Sequence, residues 1–164
     1  MAFLMGIDLN RDAGKIDAES GLYTKSSWDF MMASSTDLSA YQRRGGKLVI
    51  VHGASDPVFS INDTIGWWNQ MNQANGGRAA DFVRLFAVPG MNHCSGGPAT
   101  DRFDAFTALV NWVEKGAAPE KIIAAASPAS PWPGRTRPLC PYPSQPRYNG
   151  TGNMEDAASF SCQR

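Results

Sequence analysis

At 164 residues, 43% of them hydrophobic, the chain is long enough for one domain with a real core. Its 15 Lys and Arg balance 15 Asp and Glu, which removes the electrostatic drive that a nucleic-acid partner or an anionic membrane surface depends on. No apolar run approaches the roughly 18 residues of a membrane span, and Met1–Gly6 is too short, and lacks the basic flank, for a signal peptide. Any export signal is therefore expected upstream of Met1 in a longer chain.

Residues 1–34 show weak periodicity. Asp8–Gly14 reads as turn-like and Trp28–Met32 as an apolar patch without a helical face, so this part is expected to be irregular with short helices. Ser35-Thr36-Asp37 can cap a short helix on which Leu38 and Tyr41 share a face, closed by Gly45-Gly46. Lys47–Gly53 is a continuous β-branched run, the pattern of a parallel strand buried on both faces. Ala54-Ser-Asp-Pro57 turns the chain. Ser60 or Asn62 starts a helix with Asp63 in its first turn, Ile65, Trp68 and Met71 on its inner face, and Asn75-Gly76-Gly77 at its end.

Phe82–Val88 is the second strand. Thr100 or Asp101 is expected to start the next helix, with Phe103, Phe106, Val110 and Val113 on one stripe and Lys115-Gly116 as its stop. Strand, helix, strand, helix with short connections predicts an α/β fold built on a right-handed βαβ unit with parallel strands. Beyond Ile123 the text is Pro-rich, and proline this dense argues against helix and central strand. The division expected is 1–34 irregular, 35–123 α/β, and 124–164 a wrapping tail.

The cysteines are Cys94, Cys140 and Cys162. Cys140 and Cys162 lie in the loop-rich tail, where a ring between them would stabilise by about 3 kcal/mol and imply an oxidising compartment. Three separate buried thiols are the alternative.

Sites in open parallel sheets form outside the carboxyl ends of the strands. Asp56 follows the first strand, and His93 follows the second within Val88-Pro-Gly-Met-Asn-His-Cys-Ser-Gly-Gly97. Neighbouring parallel strands lie about 4.8 Å apart, so the two loops can bring these side chains together. A carboxylate on one imidazole nitrogen fixes the tautomer and stabilises the imidazolium formed when the other nitrogen takes a proton. In α/β-hydrolases the order is Ser, acid, His, and Asp56 before His93 fits it. No Gly-x-Ser-x-Gly elbow exists: Gly53-Ala-Ser-Asp-Pro57 fails at its last position.

The same residues have plainer readings. Asp56 in Ser-Asp-Pro is an ordinary turn former. His52, at a strand end, reads as a buried, hydrogen-bonded histidine. Ser55 and Ser60 read as turn and cap residues, and Ser95 is badly placed to face its neighbouring imidazole. Trp67, Trp68 and Trp112 read as packing residues. His52, Asp56, His93 and Cys94 include acceptable metal-ligand types but lack tight ligand spacing.

Four blocks in order carry a resemblance: Gly45–Pro57, Pro89-Gly-Met-Asn-His-Cys94, Arg137-Pro-Leu-Cys-Pro-Tyr-Pro143, and Tyr148–Cys162. Over about Asp8 to Cys162 the chain resembles the C-terminal part of the tannase and feruloyl esterase family, which also includes the esterase that cleaves mono(hydroxyethyl) terephthalate. The resemblance implies an α/β-hydrolase fold with Asp56 as triad acid and His93 as base. It also implies that Cys94 pairs with an upstream cysteine beside the serine. The serine elbow, the oxyanion hole and a lid carrying a calcium site would all lie upstream, so no cofactor is expected in this chain.

On this reading residues 1–34 return from the lid, and the chain is a fragment, inactive alone, of a secreted or periplasmic enzyme acting on small aromatic esters. The alternatives are a non-catalytic hydrolase-like domain for binding or assembly, with a homodimer through the exposed sheet edge, and a thiol or metal enzyme built on His93 and Cys94.

Overall fold

A computed structural model describes residues 5–164, so the first four residues of the Met1–Gly6 segment lie outside the described part. The chain divides into two compact units, one ending at Ser35 and the other running from Thr36 to Arg164. The first carries the short helices Leu9–Asp12 and Ser27–Met31. Asp8 caps the former through the Asn10 N–H, and a reciprocal Ser26–Asp29 capping box starts the latter.

The second unit holds β1 (Leu48–Gly53), the helix Ile61–Ala74, β2 (Val83–Val88) and the helix Ala105–Lys115. β1 and β2 are parallel, in register from Leu48 opposite Val83 to Gly53 opposite Val88. Each element follows from local chemistry. Ser60 accepts from the Asn62 N–H and starts the first helix. Gly116 ends the second at φ +69°, a left-handed conformation natural to glycine.

Alternate strand residues feed two cores. Leu48, Ile50, Val83 and Leu85 pack with Phe82, Trp68 and Met71 on the side of the Ile61–Ala74 helix. Val49, Val51, Phe86 and Val88 pack on the other side with Met91, Ala105 and Ala108. This is a helix–sheet–helix sandwich, and it explains why both strands lack polar alternation. Tyr41 of the short helix Ser39–Arg43 and Leu38 at its N-cap join the first core.

Three sequence expectations change. The last helix starts at Ala105, capped by Asp104, because the expected starter is otherwise engaged: Asp101 accepts from the Gly96 N–H at 2.8 Å, and Arg102 bridges to Ala125 in extended form. The expected stripe splits: Phe106 is 76% and Val113 58% exposed and Val110 is half-buried, while Phe103, Ala105 and Ala108 pack inward and Trp112 is buried. The tail, thirdly, does contain strands. β3 (Ile122–Ala125) pairs antiparallel with β4 (Thr136–Leu139), and β5 (Gln145–Tyr148) with β6 (Phe160–Gln163). Pro138 and Pro146 sit within these two-stranded pairs rather than in a strand with ladder partners on both sides.

The tail also lies along β2, with the Tyr142 N–H donating to Leu85 O at 2.7 Å, and the Cys140–Cys162 disulfide closes it. β1 pairs only with β2 among the described residues, so its other edge is open. Among the described residues no helix is long and apolar enough to cross a membrane.

Candidate active site

The two strand-end loops are locked to each other through their backbones. Ala54 N–H donates to Val88 O at 2.9 Å and Ser55 N–H to Met91 O at 3.0 Å. Gly53 sits at the crossing, where a methyl group would run into the backbone carbonyl oxygens of Met91 and Asn92. Buried Met91 anchors the start of the His93 loop, and the Asn92 N–H donates to Gly96 O to close its tip. Cys94 at that tip has φ +64°.

This framework brings His93 Nδ1 to 2.8 Å from Asp56 Oδ2. The two carboxylate oxygens have separate tasks. Oδ1 accepts from the N–H groups of Val58 at 2.7 Å and Phe59 at 3.1 Å, shaping the turn, and Oδ2 serves the imidazole. The turn-former reading thus accounts for Oδ1, and Oδ2 is the oxygen that meets the imidazole.

The Asp56 side chain is only 5% exposed, whereas His93 is 47% exposed. Burial by itself raises the Asp56 carboxyl, but the His93 hydrogen bond, the two N–H donors and the nearby imidazole together outweigh it and hold the group at about 2. An ionised Asp56 only accepts, so His93 Nδ1 is the donor, and in the neutral imidazole the lone pair falls to Nε2. Among the described residues no hydrogen bond engages Nε2. The arrangement is a buried anion behind a half-exposed base.

Cys140 and Cys162 are bonded to each other, and Cys94 is exposed and unpaired. His52 is nearly enclosed and bonded to Thr64 Oγ1 and Phe59 O. Ser60 caps its helix, and Ser55 is tied through its backbone to the His93 loop. Among the described residues no group of three His, Cys, Asp or Glu side chains is arranged around a common point for a metal ion. Phe59 had no sequence signal, yet its ring lies 5.4 Å from the His93 ring, centroid to centroid.

A profile of the family described as "Tannase and feruloyl esterase" matches residues 7–163. The chain belongs to that family. Among tannase and feruloyl esterase family relatives, mono(2-hydroxyethyl) terephthalate hydrolase of Piscinibacter sakaiensis is 50% identical, over 98% of this chain and 27% of its own length. A probable feruloyl esterase of Arthroderma benhamiae is 38% identical over 80% of this chain and 25% of its own length. The crystal structure of feruloyl esterase B from Aspergillus oryzae matches with a TM-score of 0.65 at 26% identity, covering 79% of this chain and 29% of that one. The chain thus spans about a quarter of the curated relatives it matches.

Proposed function

We propose that Asp56 and His93 are the acid and base of a serine carboxylic ester hydrolase whose nucleophile is carried by sequence preceding this chain in the full protein. The observation that carries this reading is the bond from His93 Nδ1 to Asp56 Oδ2, made at the carboxyl ends of adjacent parallel strands with Nε2 left unengaged. The relatives, a mono(2-hydroxyethyl) terephthalate hydrolase and a probable feruloyl esterase, support small aromatic acid esters as the substrate class.

In the complete enzyme His93 Nε2 takes the serine proton as the serine oxygen attacks the ester carbonyl. Asp56 stabilises the imidazolium through Nδ1. The tetrahedral adduct collapses, the imidazolium protonates the departing alcohol, and an acyl-serine remains. Water attacks it by the same route and releases the aromatic acid. Exposed Cys94 beside His93 is positioned for a disulfide to a cysteine of the upstream segment. Together with Cys140–Cys162 this supports a secreted or periplasmic enzyme.

Without its nucleophile the chain alone is inactive. Loss of the serine from a triad costs about a million-fold. The test is turnover of methyl ferulate, methyl gallate and p-nitrophenyl acetate by this chain and by a version extended upstream through a Gly-Cys-Ser-x-Gly-Gly elbow. Activity in the extended form, lost in His93→Ala, supports the proposal. Turnover by the 164-residue chain that His93→Ala abolishes would overturn it.

A second reading has its own observation. The open edge of β1, together with exposed Phe106 and Val113, suits an assembly domain that pairs with another copy. Size-exclusion chromatography with light scattering decides this; a clean monomer counts against it.

A further inference from the structure

His52 is the histidine that the proposed chemistry leaves unused. Its side chain is 12% exposed at the end of β1. Nε2 lies 3.1 Å from Phe59 O, and Nδ1 lies 2.8 Å from Thr64 Oγ1. A carbonyl only accepts, so Nε2 carries the proton, and Nδ1 accepts from the Thr64 hydroxyl. Both ring nitrogens of a neutral imidazole are thereby satisfied.

These bonds join three pieces of chain: the end of β1, the turn after Asp56, and the first turns of the Ile61–Ala74 helix. The turn needs such a tie. Every residue from Ala54 to Ser60 except Asp56 is exposed, so little core packing holds it. Phe59 is gripped at three points. Its N–H donates to Asp56 Oδ1, its carbonyl accepts from His52, and its ring lies against His93. His52 Nε2 is 3.7 Å from Asp56 Oδ2, too far for a hydrogen bond, so it leaves that oxygen to His93.

From this geometry we infer that His52 is a positioning residue: acting through the Phe59 carbonyl, it holds the Asp56 turn so that Oδ2 stays on His93 Nδ1. The inference rests on the esterase reading of the Asp56–His93 pair, but it concerns a different residue and fails separately.

The experiment uses the full 164-residue chain with 15N-labelled histidine. The low-field proton of His93 Nδ1 is followed by NMR and assigned by its loss in His93→Ala. His52→Leu keeps bulk but removes the donor, and is expected to speed exchange of that proton with water about fivefold, the scale of one lost hydrogen bond. In His52→Gln the amide nitrogen can reach the same carbonyl, and slow exchange is expected to return. A folded His52→Leu with unchanged exchange overturns the inference, as does failure of His52→Gln to rescue.

Should His52→Leu lose its dispersed methyl spectrum, Thr64→Val removes only the far bond; faster exchange supports the inference and unchanged exchange overturns it. Persistence of the signal in His52→Leu leaves the Asp56–His93 pair standing. Activity of the upstream-extended enzyme that survives His93→Ala sinks the esterase reading without moving the exchange result.

Discussion

Asp56→Asn is the sharpest single perturbation of the pair. The turn can survive it, because one side-chain oxygen can still accept from the Val58 and Phe59 N–H groups. That oxygen is then committed, and the amide nitrogen takes the place of Oδ2, 2.8 Å from His93 Nδ1. An amide nitrogen donates, so Nδ1 must accept, and the proton moves to Nε2, the atom that should be the base. The equivalent change in a serine-protease triad lowers kcat by about 10⁴-fold, and a loss of that order is expected in the upstream-extended enzyme. The shorter chain reports the cause directly: long-range 15N–1H NMR should show Nδ1 protonated in the parent and Nε2 protonated in the variant. An unchanged tautomer, or an activity loss below about tenfold, would refute the reasoning.

Three further outcomes are expected. The Asp56 carboxyl, ordinarily at 3.8, is held at about 2; a depressed acid stabilises the fold fully above its unfolded value and loses that contribution as pH falls through its folded one. The window is therefore pH 4 to 2, read by carboxyl 13C titration, and His93→Ala should raise the midpoint; an Asp56 that titrates normally in the parent contradicts the geometry. Gly53→Ala drives a methyl into the carbonyls of Met91 and Asn92, so it should cost about 1–3 kcal/mol in urea unfolding and disturb the His93 Nδ1 signal; a silent substitution would mean the two loops are not in contact. Replacing Cys140 and Cys162 together by serine opens a 22-residue link and should cost about 3 kcal/mol, whereas Cys94→Ser should leave the stability of this chain unchanged; an equal loss from both would reassign the bond.

The strands and the first long helix were readable because each signal was local. Lys47–Gly53 and Phe82–Val88 lack polar alternation for a reason the sandwich supplies, since helices cover both faces. The Ser60 cap is likewise written in adjacent residues. The outward turn of Phe106 and Val113 was not readable. The Ala105–Lys115 helix carries apolar groups on opposite sides, and periodicity alone does not say which side meets the sheet. The helix start failed for a similar reason: Asp101 is a good cap in isolation, but the His93 loop takes its carboxylate. Pro138 and Pro146 argued against a central strand, and the tail pairs its strands in twos, an arrangement the proline pattern alone does not announce.

Within the site, Asp56 and His93 were visible as side chains in the right order, while most of what holds them is backbone. Met91 O, Val88 O, Phe59 O and the Val58 N–H exist at any sequence and leave no motif. The same fact bears on function. The hydrogen bonds that support the pair come from residues 52–101, so the Asp56–His93 contact is assembled within this chain. A serine arriving from an upstream segment would meet a base already oriented, with its proton on Nδ1 and its lone pair on Nε2. On that account joining the two parts completes the reaction geometry without reorganising Asp56 or His93. Their NMR signature should then be the same in the short chain and in the extended enzyme, and a tautomer that appears only after extension would show that the pair is built by the missing segment.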